Sequence, residues 1–145
     1  MISRLLLVLL LLPGSPALAQ SAAQELAKAQ AQAQGPVLAD LLKNSAYASA
    51  WRIMLAGEDV PFWVHEYGKT RDGPPTPSIP VPLLGETYTL GFTCKPNDCE
   101  NNQLYVLFAP DGRDAWALLA SIDGITWLGK PEEPIQDAIT GALRR

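Results

Sequence analysis

The chain has 145 residues, with 11 Lys+Arg against 15 Asp+Glu, one histidine, two cysteines and a formal net charge of −4. That acidity argues against nucleic acid and anionic lipid, which select basic surfaces. One histidine far from two cysteines gives no metal-ligand cluster, so neither metal nor cofactor is expected.

The first element reads as a targeting segment. Arg4 supplies a positive start, Leu5 to Leu12 form an apolar run of eight residues, and Pro13, Gly14 and Pro16 break it. Ala17-Leu18-Ala19 then has the small-x-small form of a cleavage site, with Gln20 as the first mature residue. The run is shorter than the roughly 20 residues a membrane span needs. A cleaved secretory signal over residues 1–19 is therefore expected, with export and no membrane anchor. Removing 19 of 145 residues leaves 126, enough for one domain with a real core. Arg4 is the only charge lost, so the mature chain carries 10 basic against 15 acidic residues, a net charge of −5.

Residues 20–35 are rich in Ala and Gln and lack a large apolar face, so they read as a tail or frayed helix ending at Gly35-Pro36. A single α+β domain is expected over 36–145. Leu38, Leu41 and Leu42 fit one helical stripe; Tyr47, Trp51, Met54 and Leu55 fit another. Asn44 or Ser45 would cap the second helix, which should run from about Ala46 to Ala56, with Gly57 as its stop. Val60 to Tyr67 reads as a first strand by alternation. Gly73 to Pro82 holds five of the thirteen prolines and reads as a rigid connection. Glu86 to Cys94, Leu104 to Ala109, Ala115 to Ile122 and Ile125 to Leu128 then form a meander, with Pro110-Asp111-Gly112 as a turn. A final helix follows Pro131, with Ile135, Ala138, Ile139 and Leu143 on one face. The expected architecture is an antiparallel, about five-stranded β-sheet flanked by N-terminal helices and a C-terminal helix.

Two cysteines in an exported chain predict one disulfide, Cys94–Cys99, enclosing Lys95-Pro96-Asn97-Asp98. The spacing is not C-x-x-C, so thiol–disulfide exchange is not its expected work. A loop this short adds only about 2 kcal/mol to global stability. Its expected role is local: holding a protruding loop in one shape. Catalysis finds no support. His65 is the only histidine and no nucleophile elbow accompanies it, so the chain is not expected to be an enzyme. Trp63 and Trp127 are candidates for lining a ligand groove, although core packing is the commoner fate of tryptophan.

Cys94-Lys95-Pro96-Asn97-Asp98-Cys99 resembles the Cys-Lys-Pro-His-Asp-Cys signature of the inhibitor of vertebrate lysozyme (Ivy) family. Val60-Pro61-Phe62-Trp63-Val64, Gly85-Glu86-Thr87-Tyr88, Ser121-Ile122-Asp123 and Trp127-Leu128 extend the similarity over roughly Ala46 to Leu143. The resemblance implies a periplasmic inhibitor, often a homodimer, whose stapled loop enters the cleft of a c-type lysozyme between its two catalytic carboxylates. Lys95, Pro96, Asn97, Asp98, Glu100 and Asn101 are then the expected lysozyme-binding residues, with Cys94 and Cys99 as the staple. Asn97 stands where the family places histidine. It keeps two N–H donors but cannot become a cation. A diverged loop that controls lytic transglycosylases or another muramidase, or one that no longer inhibits lysozyme, is the alternative this change opens.

Overall fold

The computed structural model describes residues 20–26 and 35–145. Residues 20–26 are helical and form part of a unit separate from the domain that begins at Gln34. The expected signal segment, residues 1–19, lies outside the described residues.

The domain opens with three helices, α1 (Leu38–Leu41), α2 (Ser45–Leu55) and α3 (Phe62–Thr70). Five strands follow, β1 (Ile79–Leu83), β2 (Glu86–Cys94), β3 (Asn102–Phe108), β4 (Ala115–Ser121) and β5 (Gly124–Leu128), and α4 (Glu133–Leu143) closes the chain. The strands form one sheet in sequence order, every neighbour antiparallel. This is the α+β architecture expected.

Period-two alternation along the strands sends apolar residues to both faces. One face takes Leu104, Val106, Phe108, Ala117 and Leu119, which pack beneath Leu38, Trp51, Met54, Val64 and Tyr67 of the N-terminal helices. The other takes Val81, Leu90, Leu107 and Leu118, covered by Ile135 and Ile139 of α4. Asn44 caps α2 by accepting the Ala46 N–H at 2.9 Å. Glu58, just past α2, accepts the Gly129 N–H at 3.1 Å and ties that helix to the end of β5.

Two elements differ from expectation. Val60 to Tyr67 is not a strand: from Phe62 onward its residues belong to helix α3. Val60, Val64 and Tyr67 are the buried positions, spaced four and three apart, while Phe62 and His65 face solvent. That is helical periodicity, and Pro61 stands at the N-cap, where its missing N–H costs nothing. The remaining strand comes instead from the proline-rich connection. Pro80 and Pro82 lie within β1, paired with Thr89 and Thr87. β1 is an edge strand, the one place in a sheet where a proline removes no ladder bond.

Gly91 sits where α1 crosses β2. A Cβ there would lie 3.1 Å from Leu38 Cδ1. Gly91→Val should therefore overpack the site and cost about 1–3 kcal/mol. The check is the urea unfolding midpoint, and an unmoved midpoint would mean that α1 lifts away freely.

Candidate functional site

β2 and β3 run antiparallel to their ends, with Cys94 opposite Gln103. The seven residues between the strands, 95–101, project from one end of the sheet. Cys94 and Cys99 are disulfide-bonded, with Cα atoms 4.9 Å apart. Cys94 is buried at the strand end and Cys99 is exposed, so the staple fixes a surface loop to the rigid sheet.

Inside the staple, Asp98 N–H donates to Lys95 O at 3.1 Å, closing a four-residue turn. Pro96 takes its second position and Asn97, at φ 61°, its third. Pro followed by a residue of positive φ is the signature of a type II turn, and Asn is one of the few side-chain-bearing residues that accept that backbone readily. The result is an exposed apex formed by Pro96 and Asn97.

Asp98 is the hub of the loop. Its carboxylate accepts from Asn101 Nδ2 at 2.9 Å, from Asn102 Nδ2 at 2.8 Å and from Lys95 Nζ at 3.3 Å. The Asn101 amide, and next the Lys95 ammonium, hold its carboxyl below the usual aspartate range. Lys95 N–H also donates to Asn102 O at 3.0 Å. Its carboxylate gathers side chains from both flanks of the loop. Lys95 and Asn101 accordingly shape the loop from within. Asn97 and Glu100 form no hydrogen bond or ion pair among those of the described residues, so both are free to meet a partner.

The sign of the pH dependence follows. The folded carboxyl is depressed, so the order it supplies is complete above the unfolded value of about 3.9 and is lost as pH falls through the lower folded value. Asp98→Ala should collapse the Asn101 and Asn102 side-chain amide resonances toward solvent-exposed positions at neutral pH. Unchanged amides would show that the carboxylate is not the hub.

The base of the loop leans on α3. Cys94 and Pro96 share a small crevice of about 80 Å³ with Trp63, Glu66, Tyr67, Thr70 and Asp72. Behind it, burial pushes the Tyr67 phenol up to about 12, while the neighbouring Thr93 hydroxyl of β2 pulls the other way. A Cβ on Gly73 would meet Thr93 Oγ1 at 2.6 Å and Tyr67 Cε2 at 2.9 Å. The chain after α3 can therefore close over this pair only with glycine there.

The other candidate sites are not assembled. His65 lies on the exposed face of α3, in a groove with Trp51, Arg52, Leu55, Gly68 and Lys69, and no carboxylate is bonded to it among the described residues. Trp63 packs against the core under the N-terminal helices and Trp127 against the core under α4. They stand on opposite faces of the sheet and share no groove. Among the described residues no group of three or more His, Cys, Asp or Glu is placed to hold a metal ion. No helix there is long and apolar enough to cross a membrane.

The chain is similar to known proteins. The sequence model of the family described as Inhibitor of vertebrate lysozyme (Ivy) matches residues 46–143. A Pseudomonas aeruginosa protein named Inhibitor of vertebrate lysozyme is 40% identical over 116 residues, covering 79% of this chain and 67% of the relative. A protein of the same name from Escherichia coli K12 is 29% identical over 97 residues, covering 63% and 59%. An uncharacterised Yersinia pestis protein is 28% identical over 127 residues, covering 78% and 80%. The chain belongs to the Ivy family, whose named members are inhibitors and not enzymes.

Proposed function

We propose that the protein is an exported, periplasmic inhibitor of c-type lysozyme that blocks the active-site cleft with its stapled loop. The observation that carries this reading is the rigid apex at Pro96-Asn97, fixed by the Cys94–Cys99 bond and the Asp98 hub at one end of the sheet. Lysozyme cleaves with one acidic and one ionised carboxyl flanking the scissile bond. A donor held between them excludes substrate and satisfies both. Asn97 supplies two N–H donors, and its ordered loop forfeits little freedom on binding. The acidic surface also suits a strongly basic enzyme, by speeding encounter.

A second reading rests on Asn97 itself. A neutral tip is a weaker partner for paired carboxylates than an imidazolium, so the same loop could serve a lytic transglycosylase or another muramidase. Both readings are tested together by adding the mature protein to a c-type lysozyme and to a bacterial lytic transglycosylase, each digesting purified peptidoglycan. Inhibition of lysozyme at sub-micromolar protein, roughly −8 kcal/mol or tighter, is the expected result. Inhibition of the transglycosylase alone would move the target. Export is checked separately, by the mass of the secreted chain, which should begin at Gln20.

A further inference from the structure

The stapled loop does not stand alone at its end of the sheet. Asn102 at the start of β3 pairs with Ser121 at the end of β4, and Ser121 pairs with Gly124 at the start of β5. The β4–β5 turn, Ile122-Asp123, is thereby brought beside residues 99–101. Ser121 Oγ accepts the Asp123 N–H at 3.2 Å, which fixes the turn. At its tip Ile122 is 79% exposed, an apolar side chain turned to solvent. Between turn and loop lies a notch of about 160 Å³ lined by Glu100, Asn101, Gln103, Ala120, Ser121 and Ile122.

The charge of this notch is one-sided. Asn101 donates one amide N–H to Asp98, leaving its carbonyl oxygen and its second N–H. Gln103 Oε1 is occupied by the Tyr105 hydroxyl at 2.7 Å, which leaves its amide N–H groups. The Glu100 carboxylate takes part in no ion pair among the described residues. The mouth therefore offers amide donors and an amide oxygen, and its one charged group is an unpaired carboxylate. Beside them lies the apolar surface of Ile122 and Ala120. A long basic side chain fits such a site, with its alkyl stem on Ile122 and its charged head on Glu100.

We propose that this notch is a second docking point, receiving a lysine or arginine from the rim of the same lysozyme cleft that the loop enters. The inference rests on the cleft-blocking reading above. It adds that Ile122 and Glu100 contribute affinity beside the stapled apex. Two anchors on separate turns fix the approach angle of the loop, which a single apex cannot do.

The test is the inhibition constant of the full mature protein against a c-type lysozyme. Ile122→Ser and Glu100→Gln should each weaken inhibition by roughly 5- to 20-fold. Glu100→Gln should also flatten the salt dependence of association. Leu84→Ser removes an equally exposed apolar residue, but from the β1–β2 turn at the opposite end of the sheet, and should change nothing. Parent-like inhibition by both notch variants, with inhibition still lost on opening the staple, would overturn the second anchor and leave the loop reading standing. Inhibition that survives opening the staple would overturn the loop reading instead. If Ile122→Ser lowers the solution mass of the free protein without affecting inhibition, the turn is a self-association surface and the proposal fails.

Discussion

Replacing both cysteines, Cys94→Ser with Cys99→Ser, should weaken lysozyme inhibition roughly 100-fold while leaving the fold intact. The contrast follows from where the bond sits. Cys94 ends β2 and is held by its pairing with Gln103 whether or not the sulfur is bonded. The closed loop is short, so its loss removes only about 2 kcal/mol of global stability. The apex is different. Without the staple, Pro96, Asn97 and position 99 depend on three side-chain bonds of Asp98 and two backbone bonds, Asp98 N–H to Lys95 O and Lys95 N–H to Asn102 O. Ordering a residue costs about 1–2 kcal/mol, so refreezing two of them on binding gives about 2–4 kcal/mol, centred near 100-fold. Inhibition and the thermal midpoint of the double variant are the two readouts. Full inhibition would overturn the reading in which the stapled loop blocks the cleft.

Asn97→His should move affinity the other way, strengthening inhibition of a c-type lysozyme roughly 10- to 100-fold. Asn97 has φ 61°, and histidine is among the residues that tolerate this left-handed backbone, so the substitution keeps the turn. What changes is the donor. An imidazolium between two carboxyl groups forms charge-assisted bonds that an amide cannot. Carboxylate contact would raise the imidazole pKa in the complex. The gain should thus be largest below the free value of about 6.5 and fade as pH rises through the bound value. Inhibition measured from pH 5 to 8 shows whether the gain has that shape. No gain at any pH would mean that the tip does not meet the lysozyme carboxylates, which favours a bacterial muramidase as target.

Much of the fold was legible because its signals are local. The four strands from Glu86 onward alternate cleanly and are joined by short turns, and the stripes of α1, α2 and α4 are regular. The failures came where one short segment satisfied two periods. Phe62, Trp63 and Val64 are β-formers in a row, and eight residues of alternation looked like a strand. Only the burial of Val60, Val64 and Tyr67 reveals the helix. The prolines of β1 misled for a related reason: whether a proline is tolerable depends on being at an edge, and edge position is a property of the whole sheet. The loop itself was readable from two cysteines and four residues between them. Its internal wiring was not. That Asp98 would collect Asn101, Asn102 and Lys95 depends on how the chain turns after Cys99, and that Ile122 stands beside the loop depends on the register of three strands.

The most direct test of the cleft-blocking account is competition. A soluble N-acetylglucosamine oligomer that fills the lysozyme cleft is titrated against the lysozyme–protein complex, and the apparent dissociation constant is followed. The account predicts strict competition, with the apparent constant rising in proportion to oligomer concentration once the cleft is saturated. A constant that does not change, with oligomer and protein bound to lysozyme together, would contradict it.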